Sequence, residues 1–163
     1  MHMDDIMVRE LRADDEPVLF QLYSAVRSAE LGIEGWPPDE RDRMLRIQFD
    51  AQRRGYRAQF PRLDERLIVR SGLPIGWVIV DGSDARALHG IDIALLAEAR
   101  RQGVGTQVMQ SLQEEAAAGN RPFVILVERR NLRALAFHRR LGFQAIKETD
   151  VHTMMEWRPE TQP

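Results

Sequence analysis

The sequence contains no cysteine, which excludes a disulfide framework, a thiolate metal site and a cysteine nucleophile together. Any covalent intermediate would need another residue. An excess of charge of either sign is also missing. The formal net charge is -2, so the chain has no polyelectrolyte signature pointing to nucleic acid or to an anionic membrane surface. No stretch approaches the ~20 apolar residues of a membrane span. The acidic start, Met1-His2-Met3-Asp4-Asp5, has no cationic segment followed by an apolar one, so the expectation is a soluble, cytoplasmic protein. Lysine is nearly absent, Lys147 being the only one. Repeats, low-complexity tracts and linkers are absent as well. What remains is 163 residues at 44% hydrophobic, enough chain for one domain over 1–163 with a sizeable core, and not comfortably enough for two.

Strand-like and helix-like segments alternate, separated by short turn signals, which favours a mixed α/β domain. Ile6 to Leu11 alternates as a strand does. Asp14 or Asp15 then caps a helix with an apolar face of Val18, Leu22, Ala25 and Val26. After Trp36-Pro37-Pro38, Asp39 is the expected N-cap of a long helix carrying Leu45, Phe49, Tyr56 and Phe60, with Pro61 ending it. Leu67–Val69 and Pro74–Val80, joined through Ser71-Gly72, form a hairpin pattern. A turn at Asp81-Gly82-Ser83 leads into a strand from about Ala87 to Leu96. Gly103 to Ala118 is helical, with Val104, Val108 and Leu112 in one stripe and Gly119 as its stop. Phe123–Val127 is an unbroken apolar run, suited to a strand buried on both faces. Asn131 is the expected N-cap of a helix ending at Gly142, and Phe143–Lys147 with Val151–Trp157 closes the chain as a hairpin.

Chemistry concentrates in Leu95-Leu96-Ala97-Glu98-Ala99-Arg100-Arg101-Gln102-Gly103-Val104-Gly105-Thr106, where a strand runs through a short loop into glycines that open a helix. Such a helix start presents unpaired N–H groups and partial positive charge, and glycine lets phosphate oxygens approach the backbone. Arg100 and Arg101 add counter-charge. The dinucleotide fingerprint fails, because its third glycine is Val108 and the first half of the chain lacks βαβ character. The nucleotide-binding P-loop fails for want of its lysine.

Arg100-Arg101-Gln102-Gly103-Val104-Gly105 resembles R/Q-x-x-G-x-G/A, the pyrophosphate-binding motif of the GNAT superfamily of N-acetyltransferases. Asn131 through Phe143 (Asn-Leu-Arg-Ala-Leu-Ala-Phe-His-Arg-Arg-Leu-Gly-Phe) resembles that family's N-x-x-A-x-x-F/L-Y-x-x-x-G-F at the expected distance and order. The succession of strands and helices matches over nearly the whole chain. The resemblance implies a mixed, mostly antiparallel sheet of about six to seven strands with four main helices, whose splayed central strands hold acyl-CoA. It also implies an acetyl-CoA-dependent N-acetyltransferase of a primary amine on a small molecule or protein, without a metal. On individual positions, it implies that the backbone of Ile93, Ala94 and Leu95 meets the pantetheine arm, with an N–H near Ile93 facing the thioester oxygen. Arg100, Arg101, Gln102, Gly103, Val104, Gly105 and Thr106 hold phosphate. Asn131, Ala134 and Phe137 line the pantetheine from the next helix. Phe137 reads equally as core packing and Asn131 as an ordinary cap.

For the chemistry itself, His89 falls where some family members carry a glutamate base, and its imidazole suits proton removal near neutral pH; a lone strand histidine is otherwise structural or solvent-facing. Asp92 points to the opposite face unless the strand bulges, and Glu34, in the loop between the first two helices, is a third candidate to weigh. His138 stands where the family's tyrosine protonates the departing thiolate, and a histidine can donate a proton or simply fill the space. Trp36 is either a loop anchor or a stacking surface. The arginines of the long helix read as a solvated, paired face, or as a track for an acidic acceptor. A non-catalytic acyl-CoA sensor or scaffold on the same fold is the second functional reading, and a homodimer through a free strand edge is compatible with the pattern.

Overall fold

A computed structural model describes residues 5–160; the acidic start, Met1 to Asp4, lies outside the described residues. Seven strands form one mixed sheet in the order β1-β2-β3-β4-β5-β7-β6. They are β1 (Ile6–Glu10), β2 (Leu63–Arg70), β3 (Leu73–Asp81), β4 (Leu88–Leu95), β5 (Phe123–Glu128), β6 (Gln144–Glu148) and β7 (His152–Trp157). Four helices accompany them: α1 (Glu16–Leu31), α2 (Pro38–Gln59), α3 (Val104–Ala118) and α4 (Leu132–Arg140). Strand by strand and helix by helix, this is the α/β arrangement expected from the sequence. The chain falls into two compact units. One holds residues up to Ile79 together with Asp92–Gln102, and the other holds Val80–Ile91 and everything from Gly103 on.

In the first unit, β1 and β2 pair antiparallel from Ile6 opposite Arg70 to Glu10 opposite Arg66. The β2–β3 connection is tight because Ser71 (φ 51°) and Gly72 (φ 82°) are both left-handed, the two-residue hairpin geometry that matches strand twist. Helix α1 buries Leu19, Leu22, Tyr23 and Val26. Its apolar stripe is rotated from the expected one, with Ala25 exposed, because Tyr23 packs edge-on against Phe49 of α2 at 5.2 Å and Phe20 does so at 5.3 Å. The expected caps are corrected. Asp15 precedes α1 but makes no cap bond to it; its carboxylate instead takes two hydrogen bonds from Arg9 and one from the Arg12 N–H. Asp39 lies within the first turn of α2, whose N-cap position is Pro37.

In the second unit, β5 and β7 pair antiparallel over their full lengths, from Phe123 opposite Trp157 to Glu128 opposite His152, and β6 lies outside β7. The stripe Val104, Val108 and Leu112 of α3 is buried as expected. Gln113 of α3 donates to the carbonyl of Leu141 at 2.8 Å, tying α3 to the end of α4. Strand β5 departs from the expectation of burial on both faces, since Leu126 is 58% exposed. Strands β4 and β5 run parallel, and their ladder joins only Leu88 to Phe123, His89 to Val124 and Gly90 to Ile125. Both strands continue beyond it. Among the described residues no helix is long and apolar enough to cross a membrane.

Candidate functional site

In the first unit the expected pantetheine strand is the second half of β4. Ile93, Ala94 and Leu95 are half-buried, neither sealed in the core nor free in solvent. The chain then makes a 3-10 turn over Ala97–Ala99, anchored by the Leu96 N–H on the Ile75 carbonyl at 2.9 Å. Of the loop side chains, Arg100 donates back to the Leu95 carbonyl at 3.0 Å and Gln102 to the Glu98 carbonyl at 2.8 Å. Both brace the loop. Arg101 is exposed and takes a left-handed backbone, φ 61°.

Strand β3 shapes this part of β4. A Cβ on Gly76 of β3 would fall 2.2 Å from the Ala94 carbonyl oxygen and 2.9 Å from Leu95 Cδ2. The carbonyl oxygen of Ala94 therefore occupies space that any side chain at position 76 would fill. The sequence signal was a lone glycine inside an otherwise apolar strand.

Asp92 opens this half of β4. Its carboxylate accepts a hydrogen bond from the Trp77 indole N–H at 3.1 Å. It keeps some solvent contact, yet enough protein surrounds it for burial to hold its pKa above the ordinary value, against the opposing effects of the Trp77 bond and the Arg27 charge. The same burial raises Tyr23 and pushes Tyr56 up to about 12. Sequence periodicity treated Tyr56 as core and Asp92 as facing away; a carboxylate between two isoleucines on a strand was the available warning. An open cavity of about 790 Å³ in this unit, lined by Glu10, Arg12, Arg53, Arg57 and Glu65 among others, contains none of the sequence-predicted site residues. Arg53 there pairs with Glu65 at 3.0 Å, and Arg46 with Glu16. Trp36 is 44% exposed, and it is Ile33, 4% exposed, that anchors the loop between α1 and α2.

In the second unit, α3 begins at Gly103, whose φ of 80° is left-handed and whose Cα faces open space. No side chain caps this helix start and its first turn carries no acidic residue, so the N–H groups of Val104, Gly105 and Thr106 have no helical partner to satisfy them. Val104 can contribute only its backbone, because its side chain is 1% exposed. That is the environment an anion seeks.

The other expected residues of this unit lie apart in role. Asn131 accepts from the Ala134 N–H at 3.1 Å, a helix cap in full, and remains exposed. Ala134 and Phe137 are half-buried. His138 is 7% exposed, wedged edge-on between Phe137 at 5.0 Å and Phe143 at 5.5 Å. Burial alone lowers its pKa to about 4, so its ring is neutral at neutral pH, and its Nδ1 is buried with no hydrogen-bond partner among the described residues. His89 stands half-exposed with Nε2 at 3.4 Å from Asp84. Asp84 is lowered to about 2, first by the Arg86 N–H and then by His89. Among the described residues no group of His, Asp and Glu is arranged to hold a metal ion.

No curated protein matches this sequence. Solved structures do match its fold. PaiA N-acetyltransferase from Thermoplasma acidophilum in complex with coenzyme A superposes with a TM-score of 0.72 at 14% identity, over 95% of this chain and 99% of that one. An acetyltransferase from Thermus thermophilus gives 0.71 at 19% identity over 98% and 100%. A GNAT family acetyltransferase from Elizabethkingia anophelis with acetyl-CoA bound gives 0.64 at 14% identity over 96% and 99%. At these identities the likeness is one of fold. The sequence profile of the Acetyltransferase (GNAT) family matches residues 18–143, which take in both motifs. By that match the chain belongs to the acetyltransferase (GNAT) family.

Proposed function

We propose that the protein is an acetyl-CoA-dependent N-acetyltransferase acting on a primary amine. The observation that carries this reading is the start of α3. It follows an R-x-x-G-x-G sequence, its N-cap is a left-handed glycine with open space around it, and neither a capping side chain nor an acidic residue competes for its N–H groups. A pyrophosphate fits that chemistry. Arg101 and the N–H groups from Gly103 to Thr106 would bind it, while Arg100 and Gln102 hold the loop in shape. For the pantetheine arm the reading takes Ile93, Ala94 and Leu95 in the first unit and Asn131, Ala134 and Phe137 in the second, as the family's motifs imply. The coenzyme A and acetyl-CoA complexes among the solved relatives agree with this cosubstrate.

The reading takes transfer as direct attack of the amine on the thioester, with which the absence of a cysteine to carry an acyl group agrees. The protein must align amine and thioester, release the amine from its protonated form and stabilise charge on the thioester oxygen. His138 meets the leaving sulfur as a neutral ring, so any proton it gives comes from a neutral N–H. That observation favours, as a second reading, a protein that binds acyl-CoA without turning it over. His89 faces Asp84 through Nε2 at 3.4 Å, which leaves Nδ1 as the ring nitrogen that would take a proton.

A thermal-shift comparison of acetyl-CoA, CoA, NAD and ATP on wild type and Gly103→Asp tests the cosubstrate. A ligand that binds only the folded state adds about 2.7 kcal/mol at a hundredfold excess over Kd. Acetyl-CoA and CoA should stabilise the wild type and not the folded variant; a flat wild-type response to both would refute the assignment. Steady-state thiol release with an amine panel then separates enzyme from sensor.

A further inference from the structure

Within the first unit, side chains hold the loop that leaves β4 at three points, and one of them comes from another strand. Arg100 donates to the Leu95 carbonyl and Gln102 to the Glu98 carbonyl, both within the segment itself. The third bond runs from Arg70, the last residue of β2, whose guanidinium donates to the side-chain oxygen of Gln102. A guanidinium only donates and a backbone carbonyl only accepts. The Gln102 amide therefore serves both in one orientation alone, with its oxygen towards Arg70 and its nitrogen towards Glu98.

Arg70 stands on a fixed base. It faces Ile6 in the β1–β2 register, and the Ser71 N–H that follows it donates to the Asp5 carbonyl at 3.2 Å. The chain then turns at once into β3, whose Ile75 carbonyl receives the Leu96 N–H at 2.9 Å. The β2–β3 hairpin thus grips the loop twice, by backbone where it leaves β4 and by the Arg70 side chain at Gln102.

Between the two braced residues lies Arg101, with φ at 61°. A residue with a Cβ keeps that left-handed conformation only where its surroundings impose it. The Arg101 side chain does not impose it, being exposed and without a partner among the described residues. The constraint comes from Arg100 and Gln102 on either side. Of these, Gln102 is itself exposed, and among the described residues Arg70 alone holds it from outside the loop.

We propose that Arg70 is a positioning residue for the cosubstrate: acting through Gln102, it keeps Arg101 in the conformation that offers its guanidinium to the pyrophosphate, without touching the ligand itself. This rests on the acetyl-CoA reading and carries it to a residue outside both motifs. A guanidinium presented in one place loses less freedom on meeting a phosphate than one on a mobile loop. The effect falls on cosubstrate affinity. The transfer step, at the thioester end of the ligand, is unchanged, so KM for acetyl-CoA rises in an Arg70 variant while kcat does not fall.

The test is a double-mutant cycle on CoA affinity, measured by calorimetric titration of the full chain. Arg70→Met, which keeps the apolar stem, and Gln102→Met should each weaken CoA about fivefold, the measure of one net hydrogen bond. The double variant should bind no worse than the weaker of the two, because the residues act in series. The contact is exposed, so the unfolding midpoints of the unliganded variants should stay near that of wild type. A merely structural arginine would lower its midpoint and leave CoA affinity in the folded protein unchanged. An arginine that only attracts phosphate by its charge would give losses that add. Either result, or an Arg70→Met affinity within about twofold of wild type, overturns the proposal. If Arg70→Met does not fold, the shorter Arg70→Gln takes its place in the cycle. Failure of the acetyl-CoA reading looks different: wild type itself then binds no CoA, and the proposal falls with it, whereas failure of the proposal alone leaves wild-type binding intact.

Discussion

The carbonyl oxygen of Ala94 lies 2.2 Å from the point that a Cβ on Gly76 would occupy. Contact that close between a side chain and backbone does not occur, so Gly76→Ala must push β4 away from β3 at the residues proposed to meet the thioester arm. Overpacking of this kind costs about 1–3 kcal/mol. The expected result is a lower unfolding midpoint in denaturant, together with a loss of acetyl-CoA affinity beyond what destabilisation explains. Gly55 in α2 supplies the contrast. Nothing lies within 4 Å of its missing Cβ, and alanine there should stabilise the protein by about 0.5–1 kcal/mol, leaving acetyl-CoA affinity unchanged. Equal effects at the two glycines would remove the special role of the β3–β4 approach.

His138 predicts a pH dependence of stability. Its folded pKa is lowered to about 4 from an ordinary value of 6.5, so the unfolded chain binds the proton more readily. The stability this contributes is complete above pH 6.5 and is lost as pH falls towards 4, on the order of 3 kcal/mol at most. Asp92, whose folded pKa is raised, acts with the opposite sign on acidification. The comparison therefore belongs between wild type and His138→Phe, measured by urea unfolding at pH 7 and pH 4.5. The variant should lose distinctly less stability over that interval. Parallel losses would mean that His138 reaches solvent in the folded state.

The elements were legible because their signals are local. Ser71-Gly72 fixed the first hairpin, Gly103 and Gly119 bracketed α3, and Asn131 capped α4 where its side chain suggested. Asp15 was misread because its competing partner, Arg9, reaches it from another element, and a cap preference in sequence cannot see a guanidinium across a turn. The loop proposed to hold phosphate was legible for the same reason as the hairpin. The Asp92 cluster was not, since Trp77, Tyr23 and Tyr56 meet it only through strand pairing and helix packing.

Asn131 separates a structural from a binding role. Its side chain caps α4 through the Ala134 N–H at 3.1 Å, and removing such a cap costs about 1 kcal/mol. Asn131→Ala should lower stability by that amount. Asn131→Asp should keep the cap, and near the start of a helix its charge is favourable. If Asn131 also contacts pantetheine, both variants weaken acetyl-CoA binding; if it is a cap alone, the Asp variant binds as wild type does. Thermal unfolding and calorimetric titration of the pair distinguish the two.

The pH profile of turnover distinguishes a base at Asp92 from attack by amine that is already neutral in solution. With Asp92 as the acceptor of the proton, the productive encounter is between its carboxylate and the ammonium. kcat/KM then falls on the acid side as Asp92, raised by burial above the ordinary aspartate value, takes up a proton, and is level between that pKa and the amine's. Without it, kcat/KM follows the neutral amine and climbs tenfold per pH unit towards a pKa near ~10. Wild type should show the first form with 2-phenylethylamine and Asp92→Asn the second, at a lower rate at pH 7. The difference in slope between pH 7 and 9 is the decisive quantity, because a merely structural loss at position 92 lowers the whole curve without tilting it. If wild type itself climbs tenfold per unit across that interval, the proton leaves the amine before it reaches the protein and Asp92 serves only to hold it.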